Sequence, residues 1–237
     1  MKRILLLILK KLYIAPYWYF KICKYAESNK YNEEARYRLI RNIVKSVNKS
    51  ANVIIECEGI ENIPKKNGYV LFPNHQGLYD ALILIETNEK PITFVMKKEI
   101  EKHPVLKKIS SLIKALLIDR SDLKQSMKVI LEMTKEVKLG RNFVIFAEGT
   151  RSRKQNELLD FKGGSFKSAT KAKAPIVPVA LMDSYKVFDN NSIERVKVKI
   201  SYLEPIYYDE YKEMKTSEIA NEVKSRIEKK INKDIDK

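Results

Sequence analysis

Proton transfer near neutral pH calls first for an imidazole, and this chain carries only two histidines, His75 and His103. His75 stands in Phe72-Pro73-Asn74-His75-Gln76-Gly77-Leu78-Tyr79-Asp80, directly after an apolar run. Asp80 can fold back onto one ring nitrogen if a tight turn or a helix start intervenes, and Gly77 permits that turn. The carboxylate then fixes the tautomer and stabilises the imidazolium. Neither serine nor cysteine occurs in this loop. That disfavours an acyl-enzyme and favours direct activation of a substrate hydroxyl. His103 adjoins Pro104 and reads as a loop or packing residue.

Two further loops carry groups suited to an anion. In Phe146-Ala147-Glu148-Gly149-Thr150-Arg151-Ser152 a glycine is flanked by a hydroxyl and followed by arginine. Arg151 can grip a phosphate in a bidentate fork, with backbone N–H groups of Gly149 and Thr150 adding donors. The plainer reading is a surface turn with a Glu148–Arg151 pair. Lys97, at the end of Phe94-Val95-Met96-Lys97, adds a positive charge to the same site or is simply solvated. Phe161-Lys162-Gly163-Gly164-Ser165-Phe166 opens a helix whose N-terminus can face an anion. The chain has only seven glycines, and Gly77, Gly149, Gly163 and Gly164 all fall in these loops.

These loops need a scaffold. Short β-rich runs occur at Val53–Cys57, Tyr69–Phe72, Ile92–Met96, Leu116–Ile118, Phe143–Phe146, Ile176–Leu181 and Val196–Tyr202. Helical stretches at 99–111, 122–138 and 163–172 lie between them. The alternation predicts an α/β fold, a mainly parallel central sheet flanked by helices, with chemistry in the loops at strand C-termini. Ile176–Leu181, with Pro178 inside and Pro175 before it, reads as an edge or bent strand. In 216–237, Ile219, Val223, Ile227, Ile231 and Ile235 recur every fourth residue and predict a helix docking by one stripe.

Residues 1–50 differ in kind and are predicted as N-terminal membrane-associating helices, with 51–237 as the catalytic domain. The apolar runs of residues 1–24 are broken by Lys10, Lys11, Pro16 and Lys21, too short to span a bilayer. Tyr13, Tyr17, Trp18 and Tyr19 are amphipathic aromatics flanked by basic residues, which predicts a helical motif lying on a membrane surface. Residues 31–50 predict a helix capped by Asn32, with Ala35, Leu39, Ile43 and Val47 on one face and Arg36, Arg41, Lys45 and Lys49 on others.

In bulk, the 237 residues are 44% hydrophobic, which excludes wholesale disorder. A net charge of +16 favours polyanionic partners: nucleic acid, an anionic membrane or an acidic carrier protein. Cys23 and Cys57 are too few for a disulfide framework and read as inert core thiols in a reducing compartment.

In order and spacing these motifs resemble the glycerophospholipid acyltransferase family, best known as 1-acylglycerol-3-phosphate acyltransferases. The family's Asn-His-x4-Asp block stands here as Asn74, His75 and Asp80, and its Glu-Gly-Thr-Arg block as Glu148 to Arg151. Lys97, Glu99 and Ile100 match its Lys-x-Glu-Leu block, and Val177 to Val179 its Val-Pro-Val block; Ile118-Asp119-Arg120-Ser121 is also similar. Gly77 and Ala147 depart from the family's usual serine and proline. The resemblance implies transfer of a fatty acyl group from a thioester to the free hydroxyl of a lysophospholipid, with no metal and no bound organic cofactor. His75 and Asp80 would be catalytic. Lys97 and Arg151 would hold the acceptor phosphate, with Asn74, Glu148, Gly149 and Thr150 beside them and Glu148 ordering the loop. The donor would be an acyl-acyl-carrier-protein or acyl-CoA, the location the cytoplasmic face of the cell membrane. Glycerol-3-phosphate and other lysolipids are alternative acceptors. A hydrolase and a non-catalytic basic binding module are rivals from other classes, and no nucleic-acid motif supports the latter as a nucleic-acid binder.

Overall fold

A computed structural model describes residues 2–236. The chain opens with α1 (Lys2–Lys11) and α2 (Ala15–Glu27), and Pro16 sits in the first turn of α2, where its missing N–H is no loss. Pro16 therefore starts a helix as well as dividing the apolar residues. α3 (Glu33–Ser50) begins at the expected cap, with the Asn32 side chain accepting from the Ala35 N–H at 2.9 Å. Its deepest face is Tyr37, Ile40, Val44 and Asn48, with the expected stripe of Ala35, Leu39, Ile43 and Val47 half-buried beside it. Arg36, expected on another face, is buried and donates to the Tyr31 and Ser28 carbonyls, closing the α2–α3 turn.

The remaining elements alternate: β1 (Val53–Glu58), β2 (Val70–Pro73), α4 (Asp80–Thr87), β3 (Ile92–Lys97), α5 (Pro104–Leu112), β4 (Leu116–Ile118), α6 (Leu123–Lys138), β5 (Asn142–Val144), α7 (Lys167–Ala172), β6 (Ile176–Met182), α8 (Lys186–Asp189), β7 (Val196–Tyr202), α9 (Tyr208–Tyr211) and α10 (Thr216–Ile235). All seven expected strands form. The expected helix over 99–111 is split at His103, which is exposed between a 3₁₀ turn, Lys98–Lys102, and the proline that starts α5.

The strands form one sheet in the order β1-β7-β6-β2-β5-β3-β4. Neighbours pair in parallel except β6 with β7. β6 is thus an interior strand, not an edge, despite Pro178. The pairing explains how: Val179 faces Tyr202 and Ile176 bridges Ile206, so two residues of β6 oppose three of its partner. That bulge is where a missing N–H breaks no ladder bond.

Both faces of the sheet are covered. Leu71 of β2 and Tyr69 just before it point into a core with α3, α4 and the end of α5; Val70 and Phe72 point oppositely, into a core with α6, α7 and α10. α10 docks through Ile219, Val223, Ile227 and Ile231, but Ile235 is exposed and Asp234 turns inward to Lys230. Each four-residue step overshoots a helical turn by about 40°, so a fifth residue of such a stripe has rotated off the contact line. Neither cysteine is a core thiol: Cys23 is half-buried and Cys57 exposed at the end of edge strand β1.

Candidate active site

Five consecutive strands, β6, β2, β5, β3 and β4, run parallel, so the loops that follow them share one edge of the sheet. β2 and β5 are neighbours, yet the chain leaves β2 for α4 on one face and leaves β5 for α7 on the other. Such a divergence opens a crevice at the strand ends. The His75 loop and the Glu148–Arg151 loop meet there.

The helix start that the His75 loop requires is α4, whose first residue is Asp80. The carboxylate is fully buried, and its Oδ2 lies 2.7 Å from His75 Nδ1. The same oxygen accepts the N–H groups of Gln76 and Gly77 at 2.8 and 3.0 Å. The other oxygen, Oδ1, has the Ser184 hydroxyl at 2.5 Å. With Nδ1–H donating to the carboxylate, Nε2 is the free lone pair of the neutral ring. The His75 side chain keeps 21% exposure, and its ring stacks on Phe146 with centroids 4.1 Å apart. A buried, saturated carboxylate behind a partly open imidazole is the geometry of a general base.

Gly77 is not there for its backbone. Its φ is not in the left-handed region, and an added Cβ would meet Tyr185 at 3.4 Å, an ordinary contact. The turn that Gly77 permits has room for a Cβ at this position. Gly149 is the opposite case, with φ +77°; there only glycine is free of strain.

Glu148 and Asn74 hold the loops. Glu148, 2% exposed, accepts the His75 N–H at 2.6 Å and the Leu159 N–H at 2.9 Å. Burial raises its pKa, against those two hydrogen bonds. Asn74, 1% exposed, spends both ends of its amide on Leu181 of β6, at 3.0 and 2.7 Å. The Ser152 N–H donates to the His75 carbonyl at 2.8 Å, so the two loops are joined directly. Thr150 and Lys97 are exposed and Arg151 half-buried. Among the described residues neither Lys97 nor Arg151 has an ion-pair or hydrogen-bond partner.

The structure adds residues that the sequence reading missed. Lys162 reaches across the Glu148–Arg151 loop, its Nζ 3.0 Å from where a Gly149 Cβ would stand. Gln76, Asn156, Asp183 and Ser184 form a polar chain behind the His75–Asp80 pair. Asp183-Ser184 directly follows an apolar strand, the same strand-end signal that singled out the other loops.

Residues 54–182 match the model of the Acyltransferase family, over half of the chain, and the chain belongs to that family. It is an O-acyltransferase enzyme. The chain is 29% identical over 207 residues to a probable 1-acyl-sn-glycerol-3-phosphate acyltransferase of Mycoplasma pneumoniae, covering 81% of this chain and 77% of that one. It is 30% identical over 178 residues to the 1-acyl-sn-glycerol-3-phosphate acyltransferase of Escherichia coli, covering 75% and 72%. In fold it is similar to the crystal structure of the 1-acyl-sn-glycerophosphate acyltransferase PlsC from Thermotoga maritima. The TM-score is 0.77 at 23% identity, over 98% of this chain and 97% of that one.

Proposed function

We propose that this enzyme transfers a fatty acyl group from an acyl thioester to the free hydroxyl of 1-acylglycerol-3-phosphate, making phosphatidic acid. One observation carries the mechanism: the 2.7 Å contact between His75 Nδ1 and the buried Asp80 carboxylate, which leaves Nε2 as the nitrogen to accept a proton. Nε2 takes the hydroxyl proton as the oxygen attacks the thioester carbonyl. The tetrahedral intermediate collapses, the C–S bond breaks, and the proton passes from the imidazolium to the departing thiolate. A positioned base supplies about 10²–10⁴-fold, and holding acceptor and thioester together supplies further rate through proximity.

Arg151 and Lys97 are the groups for the acceptor phosphate, because both stand at the active edge with no protein partner among the described residues. Lys162 adds a third cation beside Gly149. Gly149 and Thr150 shape that loop, Glu148 fixes it to the His75 loop, and Asn74 fixes the His75 loop to β6. The donor is an acyl carrier protein or CoA thioester; both are polyanions that suit a chain of charge +16.

The enzyme works at the surface of an anionic bilayer, on its cytoplasmic face. Among the described residues no helix is long and apolar enough to cross a membrane. Leu5, Leu9, Leu12, Tyr13 and Phe20 are nonetheless each more than half exposed on α1, α2 and the turn between them. Seating them at headgroup depth lets a lysolipid enter without exposing its chain to water, which costs about 0.8 kcal/mol per CH₂.

The decisive experiment offers purified enzyme a panel of acceptors in anionic vesicles, with each thioester, and identifies lipid products by mass. Phosphatidic acid from the lysophosphatidic acid arm is expected, and its loss in His75→Ala. Acylation confined to glycerol-3-phosphate or a phosphate-free lysolipid would reassign the acceptor. Thiol release at equal rate without acceptor would make the enzyme a hydrolase.

A further inference from the structure

The geometry points to Ser184 as a positioning residue that sets the orientation of the Asp80 carboxylate and, through it, of the His75 imidazole. The inference rests on the acyl-transfer reading above. Asp80 Oδ2 collects three donors, all from its own loop: His75 Nδ1 and the N–H groups of Gln76 and Gly77. A carboxylate held through one oxygen alone can still swing about that anchor. Its second oxygen has one partner, the Ser184 hydroxyl at 2.5 Å, which arrives from the turn after β6, 104 residues along the chain.

A hydroxyl has one proton, and two acceptors lie within reach of this one: Asp80 Oδ1 at 2.5 Å and Gln76 Oε1 at 2.9 Å. The shorter, charge-assisted contact takes it. Gln76 Oε1 keeps the Ser184 backbone N–H at 3.1 Å. The Gln76 amide is in turn locked, because its Nε2 donates to Asn156 Oδ1 at 2.8 Å. Asn156 Oδ1 also accepts the Asp183 N–H at 2.9 Å, while its Nδ2 donates to Asp183 Oδ1 at 3.1 Å. Flipping either amide would set donor against donor. Asp183 has φ +62°, uncommon for a residue other than glycine, and is held there by Asn156 and an ion pair to Lys186 at 2.8 Å.

Ser184, Gln76 and Asp80 are 0–1% exposed, so no bulk water replaces a lost partner. Ser184 is fully buried, so its hydroxyl does not touch substrate. It therefore acts on turnover and not on acceptor binding.

The test compares steady-state kinetics of wild type and Ser184→Ala, alone and in an Asp80→Asn background, with thermal unfolding of each. A 10- to 50-fold fall in kcat is expected, with KM for both substrates within about twofold. In the Asp80→Asn background the same substitution should cost less than about twofold, because the hydroxyl acts through that carboxylate. A kcat within twofold of wild type, or an equal loss in both backgrounds, would overturn the role. Should Ser184→Ala not fold, Ser184→Cys, similar in shape and a weak donor, replaces it under the same criteria. If wild type acylates no acceptor of the panel, the functional reading fails instead. The low-field Nδ1–H proton resonance of His75 then tests the positioning separately: it should shift or vanish in Ser184→Ala, and an unchanged signal would overturn the inference.

Discussion

The His75–Asp80 loop and the α1–α2 pair are held in opposite ways. Between Asn74 and Asp80 the side chains of Asn74, His75, Gln76 and Asp80 each have protein partners: His75 has Asp80 of its own loop, and the others reach β6 and the loops after β5 and β6. α1 is fastened by two buried side chains, Leu7 and Arg3, and the Arg3 guanidinium donates to the Ala51 carbonyl at 2.5 Å and the Glu194 carbonyl at 2.7 Å. Around that anchor Leu5 and Leu9 face outward, 58% and 63% exposed. Polar saturation fixes a few atoms relative to one another and leaves little surface. Apolar exposure fixes nothing inside the protein and requires something outside it. The first arrangement suits a reaction centre and the second a location.

The sharpest break of this contrast is at the base. His75→Ala should lower kcat about 10³-fold on long-chain lysolipid in vesicles and equally on a short-chain soluble analogue, since proton removal does not depend on where the substrate dwells. Asp80→Asn should lose a comparable factor, and the double variant little more, because the pair acts as a unit. Asp80→Asn should also unfold at a lower temperature, because its new NH₂ meets N–H and O–H donors in a buried place. Additive losses from the two single variants would separate the residues.

Glu148→Gln comes next, with an expected fall of about 30-fold in kcat/KM. The two carboxylate oxygens accept two backbone N–H groups, and an amide nitrogen cannot replace either. Its pH dependence has a sign. Burial raises the Glu148 pKa above its unfolded value, so the native state binds the proton more tightly than the unfolded chain. That contribution to stability is present below the ordinary glutamate pKa and is lost as pH rises through the raised one. Glutamine does not titrate, so the variant's deficit in melting temperature should be larger near pH 4 than at pH 7. A pH-independent deficit would contradict the assignment.

Arg151→Ala should cost about 10- to 100-fold in kcat/KM on a phosphate-bearing acceptor and under threefold on a lysolipid lacking that phosphate. Equal losses would make Arg151 structural. The α1–α2 side of the comparison calls for Leu5→Ser, Leu9→Ser and Phe20→Ser combined. About tenfold lower activity is expected on long-chain lysolipid in anionic vesicles, with unchanged activity on the soluble analogue. Parallel losses on both substrates would dissolve the contrast. Gly77→Ser should have the smallest effect, under twofold in kcat and within about 0.5 kcal/mol in stability, because its backbone is one any residue adopts.

Some of this was legible in one dimension because the physics is local. Strands show as short apolar runs, the α3 start shows as an asparagine before two glutamates, and the histidine and its carboxylate lie within one turn of chain. Even so, α4, eight residues long and short of two full apolar repeats, left no periodic signal of its own. Pro178 looked like an edge because the sequence does not display the bulge that excuses it. Ile235 and Arg36 went to the wrong side because helical rotation and a chain reversal, not residue type, decide which side is buried.

By itself the sequence determined the seven strands, the parallel alternation, the start of α3 and the pairing of His75 with Asp80. Each depends on residues within a few positions of one another. Only the tertiary structure decided that Asn74 spends its amide on Leu181, that Glu148 accepts the His75 N–H, and that Ser184 reaches Asp80. Those contacts cross tens of residues, and a hydrogen bond between two strand-end loops depends on strand order, which no local pattern of side chains encodes.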